Sequence, residues 1–387
     1  MPILNRAAEM HGEITGWRRE LHMQPELLFD VQETAAFVTE KLKAFGCDEV
    51  VTGIGRTGVV GVIRGRHGEG PAIGLRADMD ALPIAEITGL PYASKVPGKM
   101  HACGHDGHTA MLLGAARYLC ETRNFKGSAA LIFQPAEEGG GGGLEMVKDG
   151  MMERFGIERV FGMHNMPGVP LGTFATRPGP IMAATDEFTI KITGRGGHAA
   201  LPHKTIDPLF IGAQIVGALQ GIVSRNADPL EALVISTTQF HAGTTNNVIP
   251  HTAELSGTVR TLTGDMRDFA ERRIKETAPM IAAAFGGDAL VDYHRYYPVT
   301  LNHEKETAFA VDVARNVAGE RNVNADVAPI MGGEDFSYML EARPGAFIFI
   351  GNGDSEFCHH PAFDFNDEII PLGISYWVTL TETALGR

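Results

Sequence analysis

Apolar residues recur every three or four positions over residues 3–24 (Ile3, Ala7, Met10, Ile14, Trp17, Leu21), which lines one face of a helix, and Pro25 marks its end. Residues 32–45 carry a second helical pattern that stops at Gly46. Residues 59–63 and 72–75 are short unbroken apolar runs and predict buried strands. Residues 109–120 are apolar nearly all round, as a helix buried under a sheet should be, and the runs 129–133 and 159–163 predict further strands. Helices alternating with fully apolar strands point to an α/β layer.

The texture changes near residue 183. Phe188-Thr189-Ile190-Lys191-Ile192-Thr193 alternates in the manner of a half-buried strand, and the glycine-hinged stretch Arg195-Gly196-Gly197-His198 follows. A helix over 208–223, alternating strands at 232–239 and 253–261, and a helix over 266–284 come next. This order approaches a strand-helix-strand-strand-helix-strand sandwich. After Pro298 the α/β pattern returns, with a helix over 304–317, a strand at 346–350 and a last helix from about residue 368. The expected fold is therefore an α/β domain with a central, mostly parallel sheet, interrupted by an α+β ferredoxin-like insert. The boundaries fall at 1–182 and 296–387 for the α/β domain and at 183–295 for the insert.

Composition narrows the partners. A chain of 387 residues exceeds a usual single domain. Its 33 basic and 47 acidic residues give a formal charge of -14, which repels nucleic acid and anionic membranes. Four cysteines (Cys47, Cys103, Cys120, Cys358) are too few for a disulfide framework. The opening MPILNRAAEMHGE lacks an apolar signal core, and no uncharged apolar run reaches the roughly 18–20 residues that a membrane span needs. Together these features point to a reducing cytoplasm.

The chemistry concentrates in Met100-His101-Ala102-Cys103-Gly104-His105-Asp106-Gly107-His108-Thr109. Thiolate and imidazole are the ligands that borderline-soft divalent ions prefer. The chain has no Cys-x-x-Cys pair, so further ligands must come from distant segments, as in a catalytic site. The competing reading is a loop whose histidines cap the following helix. Other polar clusters appear where apolar strands end: Asp78 and Asp80, then Glu137 and Glu138 ahead of a run of five glycines, then His164. Parallel sheets open such strand ends onto a common edge, so these clusters are expected to converge. Asp78 and Asp80 are equally compatible with a turn that satisfies loop amides. The glycine run lacks a following Gly-Lys-Ser/Thr, and a Glu pair would repel phosphate. Beside a metal, such a pair can divide ligation and proton transfer between its two members.

The stretches RADMDALP, MHACGHDGHTA, FQPAEEGGGG, GMHNMP, GRGGHAALPH, NVIPHTAELSGTVRT, MGGEDFSY and HHPAFDFND run in order through nearly the whole chain. Together they resemble the M20 metallopeptidase family, in its aminoacylase, hippurate hydrolase and indole-3-acetyl-amino-acid hydrolase branch. The resemblance implies a split catalytic domain with the 183–295 insert as its lid or dimerisation domain, and a metal-dependent hydrolase of N-acyl amino acids with two divalent ions per subunit: manganese or zinc, with nickel or cobalt also compatible. It implies Cys103, His105, Glu138, His164 and His359 as metal ligands and Glu137 as general base, with Asp80 supporting the centre. His360 adjoins His359 where the branch often has one His followed by Asn; register on Pro361 favours His359, and either ring could reach a metal. His198 is implied as the imidazole that reaches the scissile carbonyl, usually from a neighbouring subunit, so a homodimer or higher homo-oligomer through the lid is expected. Asn247 and Arg260 are implied as holders of the substrate carboxylate, although Asn247 could instead cap a turn and Arg260 could be a solvent-facing strand residue. The alternatives are a dipeptidase of the same family and a metal-binding protein that has lost turnover.

Overall fold

A computed structural model describes residues 4–386, which divide into two compact units. Among the described residues the first comprises 4–181, Leu301–Ala328 and 335–386, and the second Met182–Thr300 and Pro329–Glu334. The short return of Pro329–Glu334 to the second unit has no counterpart in the hydrophobic pattern. It is held there by backbone pairing, Ala183 N–H to Gly332 O at 2.9 Å.

The first unit is built on a sheet of eight strands among the described residues. Its centre runs, in spatial order, through Ser128–Gln134, Ala72–Asp78, Ile157–Pro167 and Gly345–Gly353, all mutually parallel. Gly58–Arg64 and Glu49–Ile54 extend one edge in antiparallel fashion. These central strands are mostly apolar and largely buried because helices cover both faces. The longest cover is His105–Thr122, buried along most of its length, together with Ile370–Leu385. Glu49–Ile54 escaped the sequence reading because an edge strand with Thr52 and Gly53 carries no apolar run.

Parallel strands put their C-terminal ends on one side of a sheet. Asp78 ends its strand, Glu137 and Glu138 lie just past Gln134, and His359 lies past Gly353. His164 differs from expectation: the strand continues through it to Pro167, so the imidazole is fixed on a paired strand, in register with Phe349, and not on a loop. The first helix also differs. It divides at Met10 into Asn5–Glu9 and His11–Met23, while Ile3 lies outside the described residues. Gly46 closes Gln32–Phe45 in the left-handed conformation, φ 83°.

The second unit is a four-stranded antiparallel sheet among the described residues, in the spatial order Leu233–Ala242, Thr252–Thr261, Ala184–Thr193, Asp288–Arg295. Helices Pro208–Gly221 and Gly264–Ala284 supply Ile211, Ile215, Leu219, Ile274 and Ala278 to its core. The chain order strand-helix-strand-strand-helix-strand is ferredoxin-like. Its closing strand, 288–295, is strongly alternating and half exposed.

Candidate metal centre

The loop before helix His105–Thr122 turns at Gly104, whose φ is 91° and where an added Cβ would fall 2.2 Å from Asn165 Oδ1. Glycine there lets Cys103 and His105 project from the first turn toward the ends of the central strands. Cys103 Sγ lies 3.4 Å from His164 Nε2. Two such ligands at about 2.3 and 2.0 Å from one tetrahedral ion would stand about 3.5 Å apart, so this separation suits joint coordination.

Three overlapping groups can be drawn, the ligand atoms of each within 4.8 Å of one another: Cys103, His105 and His164; Cys103, Glu138 and His359; His105, Glu137 and Glu138. Cys103, His105 and Glu138 each belong to two of them. His359 Nε2 is 3.2 Å from Glu138 Oε1, and the His359 side chain is 54% exposed where Glu138 is 10% exposed, so His359 forms the outer wall. His359 holds φ 70° and donates its N–H to Ala102 O at 2.7 Å, which ties its loop to the Cys103 turn. His360 instead accepts the Ala362 N–H on Nδ1 at 3.1 Å and belongs to none of these groups.

Asp80 organises the carboxylates. One oxygen accepts the N–H of Glu137 at 2.9 Å and the other that of Glu138 at 3.1 Å, while its carbonyl accepts His105 Nδ1 at 2.8 Å. That last bond puts a proton on His105 Nδ1 and leaves Nε2, which is buried and makes no hydrogen bond, as the nitrogen that would face a metal once its own proton is displaced. His164 Nδ1 likewise donates to Asn165 O at 2.6 Å, which frees its Nε2. The turn carrying the Glu pair needs Gly142, where a Cβ would meet Pro135 O at 1.7 Å.

The electrostatics favour a cation. Burial opposes a charged His105, but Asp78, Asp80 and Glu138 outweigh it and push its pKa up to about 10. Burial holds His164 well below the usual imidazole value, neutral as a ligand must be. Burial also opposes ionisation of Glu138, yet His359 and His105 bring its pKa below the ordinary value.

Beneath the ligands lies a buried network that the sequence reading missed. Arg76 donates from Nε to Gln134 Oε1 (2.9 Å), from Nη1 to Asp78 Oδ2 (2.7 Å) and from Nη2 to Asp335 Oδ1 (3.1 Å). Asp335 also accepts the Gly143 N–H at 2.8 Å. Asp78 binds His108 Nδ1 at 2.6 Å, so Asp78 and His108 brace the site from behind. A charged residue inside the apolar run Ala72–Asp78 was the available signal.

His198, Asn247 and Arg260 lie in the second unit. His198 is exposed on a short ribbon opposite Val248, and its Nδ1 accepts the Ala200 N–H at 3.1 Å, which leaves a donor at Nε2. Asn247 adjoins it, its carbonyl accepting the Ala199 N–H at 3.1 Å. Arg260 is half-buried on the central strand Thr252–Thr261, folded back onto the Thr258 hydroxyl and Val259 O.

Residues 74–383 match the family model described as peptidase family M20/M25/M40. The hippurate hydrolase of Campylobacter jejuni is 41% identical, over 98% of each chain. The N-acetyl-L-cysteine deacetylase of Bacillus subtilis is 45% identical, over 95% of this chain and 87% of its own. The crystal structure of the Bacillus subtilis YXEP protein, described as a dinuclear metal binding peptidase from the M20 family, superposes with a TM-score of 0.85 at 38% identity, covering 98% of this chain and 99% of that one.

Proposed function

This chain belongs to peptidase family M20/M25/M40, and from that membership we propose that it is a metal-dependent amidohydrolase that cleaves N-acyl amino acids of the hippurate or N-acetyl type to a carboxylic acid and a free amino acid. The observation that carries the reading is the convergence of Cys103, His105, Glu138, His164 and His359 in overlapping groups, with Glu137 beside them.

Cys103, His105, Glu138, His164 and His359 would hold two divalent ions, manganese or zinc. Such ions acidify water and polarise a carbonyl. Glu137, with its backbone fixed by Asp80, takes a proton from the attacking water and returns it to the leaving amine. His198 offers Nε2–H to the developing oxyanion, and Asn247 and Arg260 hold the substrate carboxylate. We assign His198 to a partner subunit's site, in a homodimer formed through the second unit. The four cysteines are free thiols, which fits a reducing cytoplasm. Among the described residues no helix is long and apolar enough to cross a membrane.

The test is hydrolysis of hippurate, an N-acetyl amino acid and a dipeptide, before and after chelation and with manganese or zinc restored. The acylated amino acids should turn over, chelation should abolish turnover, and added metal should restore it. Preference for the dipeptide would reassign the enzyme as a dipeptidase, and full activity after exhaustive chelation would exclude the mechanism.

A further inference from the structure

Two of the four cysteines, Cys47 and Cys120, take no part in the metal centre. Cys47 follows the Gly46 cap of helix Gln32–Phe45, and Cys120 sits in the last turn of helix His105–Thr122. Both are half-buried, and their Sγ atoms are 3.7 Å apart although 73 positions separate them in sequence.

This proximity is braced on every side. Cys47 N–H donates to Leu42 O at 3.1 Å, and Asp48 N–H donates to Val62 O at 2.8 Å. Arg123, just past Cys120, donates from Nη2 to Gly46 O at 2.7 Å and from Nη1 to Asp48 Oδ2 at 2.6 Å. One guanidinium therefore grips the residues before and after Cys47 and sets that thiol against Cys120. The sulfurs already stand in contact, and a bond needs them to close from 3.7 Å to about 2.05 Å.

We propose that Cys47 and Cys120 form an oxidisable dithiol, a modification site separate from the metal ligands, which takes a peroxide and closes to a reversible intramolecular disulfide. Cys120 is the nucleophile. It shares a sulfur–sulfur hydrogen bond with Cys47 and lies beside the Arg123 charge, and both favour its thiolate. The Cys120 thiolate attacks one peroxide oxygen and the O–O bond breaks; a sulfenic acid forms, and the departing hydroxide takes back from solvent the proton that Cys120 lost on ionising and leaves as water. Cys47 sulfur then attacks the sulfenic sulfur; the S–S bond forms, the S–O bond breaks, and hydroxide leaves with the Cys47 proton as a second water. Two thiols are oxidised by two electrons in all, and one hydrogen peroxide is reduced to two waters.

The experiment uses the metal-loaded, full-length protein treated with a small excess of hydrogen peroxide, quenched with an alkylating agent and mapped by mass spectrometry without reduction. The expected result is a cross-linked peptide pair containing Cys47 and Cys120, lighter by two hydrogens than the separate peptides, which dithiothreitol dissolves. Cys47→Ser and Cys120→Ser should each abolish it. Recovery of Cys47 and Cys120 on separate peptides, alkylated or over-oxidised, overturns the proposal, as does a cross-link found only between Cys103 and Cys358. If a serine variant does not fold, the wild-type map alone decides, because it reads the bond directly.

Discussion

Asp80 shows how one side chain can serve several reacting groups without touching substrate. A carboxylate has two acceptor oxygens, and here each takes one of two consecutive amide protons, so Glu137 and Glu138 are oriented together. Asp80→Asn would set an NH2 against one of those N–H groups. We expect it to lower metal affinity or turnover by about 10–100-fold, the usual cost of losing a group that orients metal ligands. Isothermal metal titration beside kcat measurements checks this, and unchanged values in both would show that the amides orient themselves. Glu137→Gln should retain metal while kcat falls by about 10²–10⁴, whereas Glu138→Gln should lose metal. Metal analysis of the purified variants separates the two; the opposite pattern would exchange base and ligand.

Between elements, helix His11–Met23 is fastened to the first turn of His105–Thr122 by buried charge. Arg18 pairs with Asp106 at 2.9 Å, and His22 Nδ1 with the same carboxylate at 2.8 Å, next to the proposed ligand His105. Burial opposes a proton on His22, but Asp106 and Glu86 overcome it and raise its pKa to about 9. A raised folded-state value means that the folded protein binds the proton more tightly than the unfolded chain. Its contribution is fully present below about pH 6.5, the unfolded value, and disappears as pH rises through about 9, a loss on the order of 3 kcal/mol. Urea unfolding midpoints across that window should therefore fall in wild type and stay flatter in His22→Gln. Parallel curves for the two proteins would remove His22 as the cause.

On the scale of the whole molecule, the proposed reaction divides its machinery between two units that fold around separate cores. If His198 serves a partner's site, Glu137→Ala and His198→Ala proteins should each be nearly inactive, while a mixed dimer contains one intact site. Random exchange makes half of the dimers mixed, each with one of two sites whole, so activity should recover to about a quarter of wild type. Native mass spectrometry verifies the exchange; mixed dimers that stay at the mutant level would assign His198 to its own subunit or to no catalytic role. Many elements of both units were legible because hydrophobic period reports burial one residue at a time: residues 72–75 of the buried strand Ala72–Asp78 and residues 188–193 of the alternating Ala184–Thr193 could be read directly. Clustering at strand ends was legible for the same local reason at Asp78, Asp80, Glu137, Glu138 and His164, whereas the ligand set as a whole, His359 included, was named from the family resemblance. Tertiary structure alone decided which groups meet. His359 lies against Glu138 while His360 turns to its own loop, and Asp80 bonds the Glu pair. Arg76 joins Gln134, Asp78 and Asp335, Cys47 meets Cys120, and Pro329–Glu334 joins the second unit. Each of these depends on strand order, backbone dihedrals and contacts between residues far apart in the chain, and a one-dimensional pattern of burial carries none of that information.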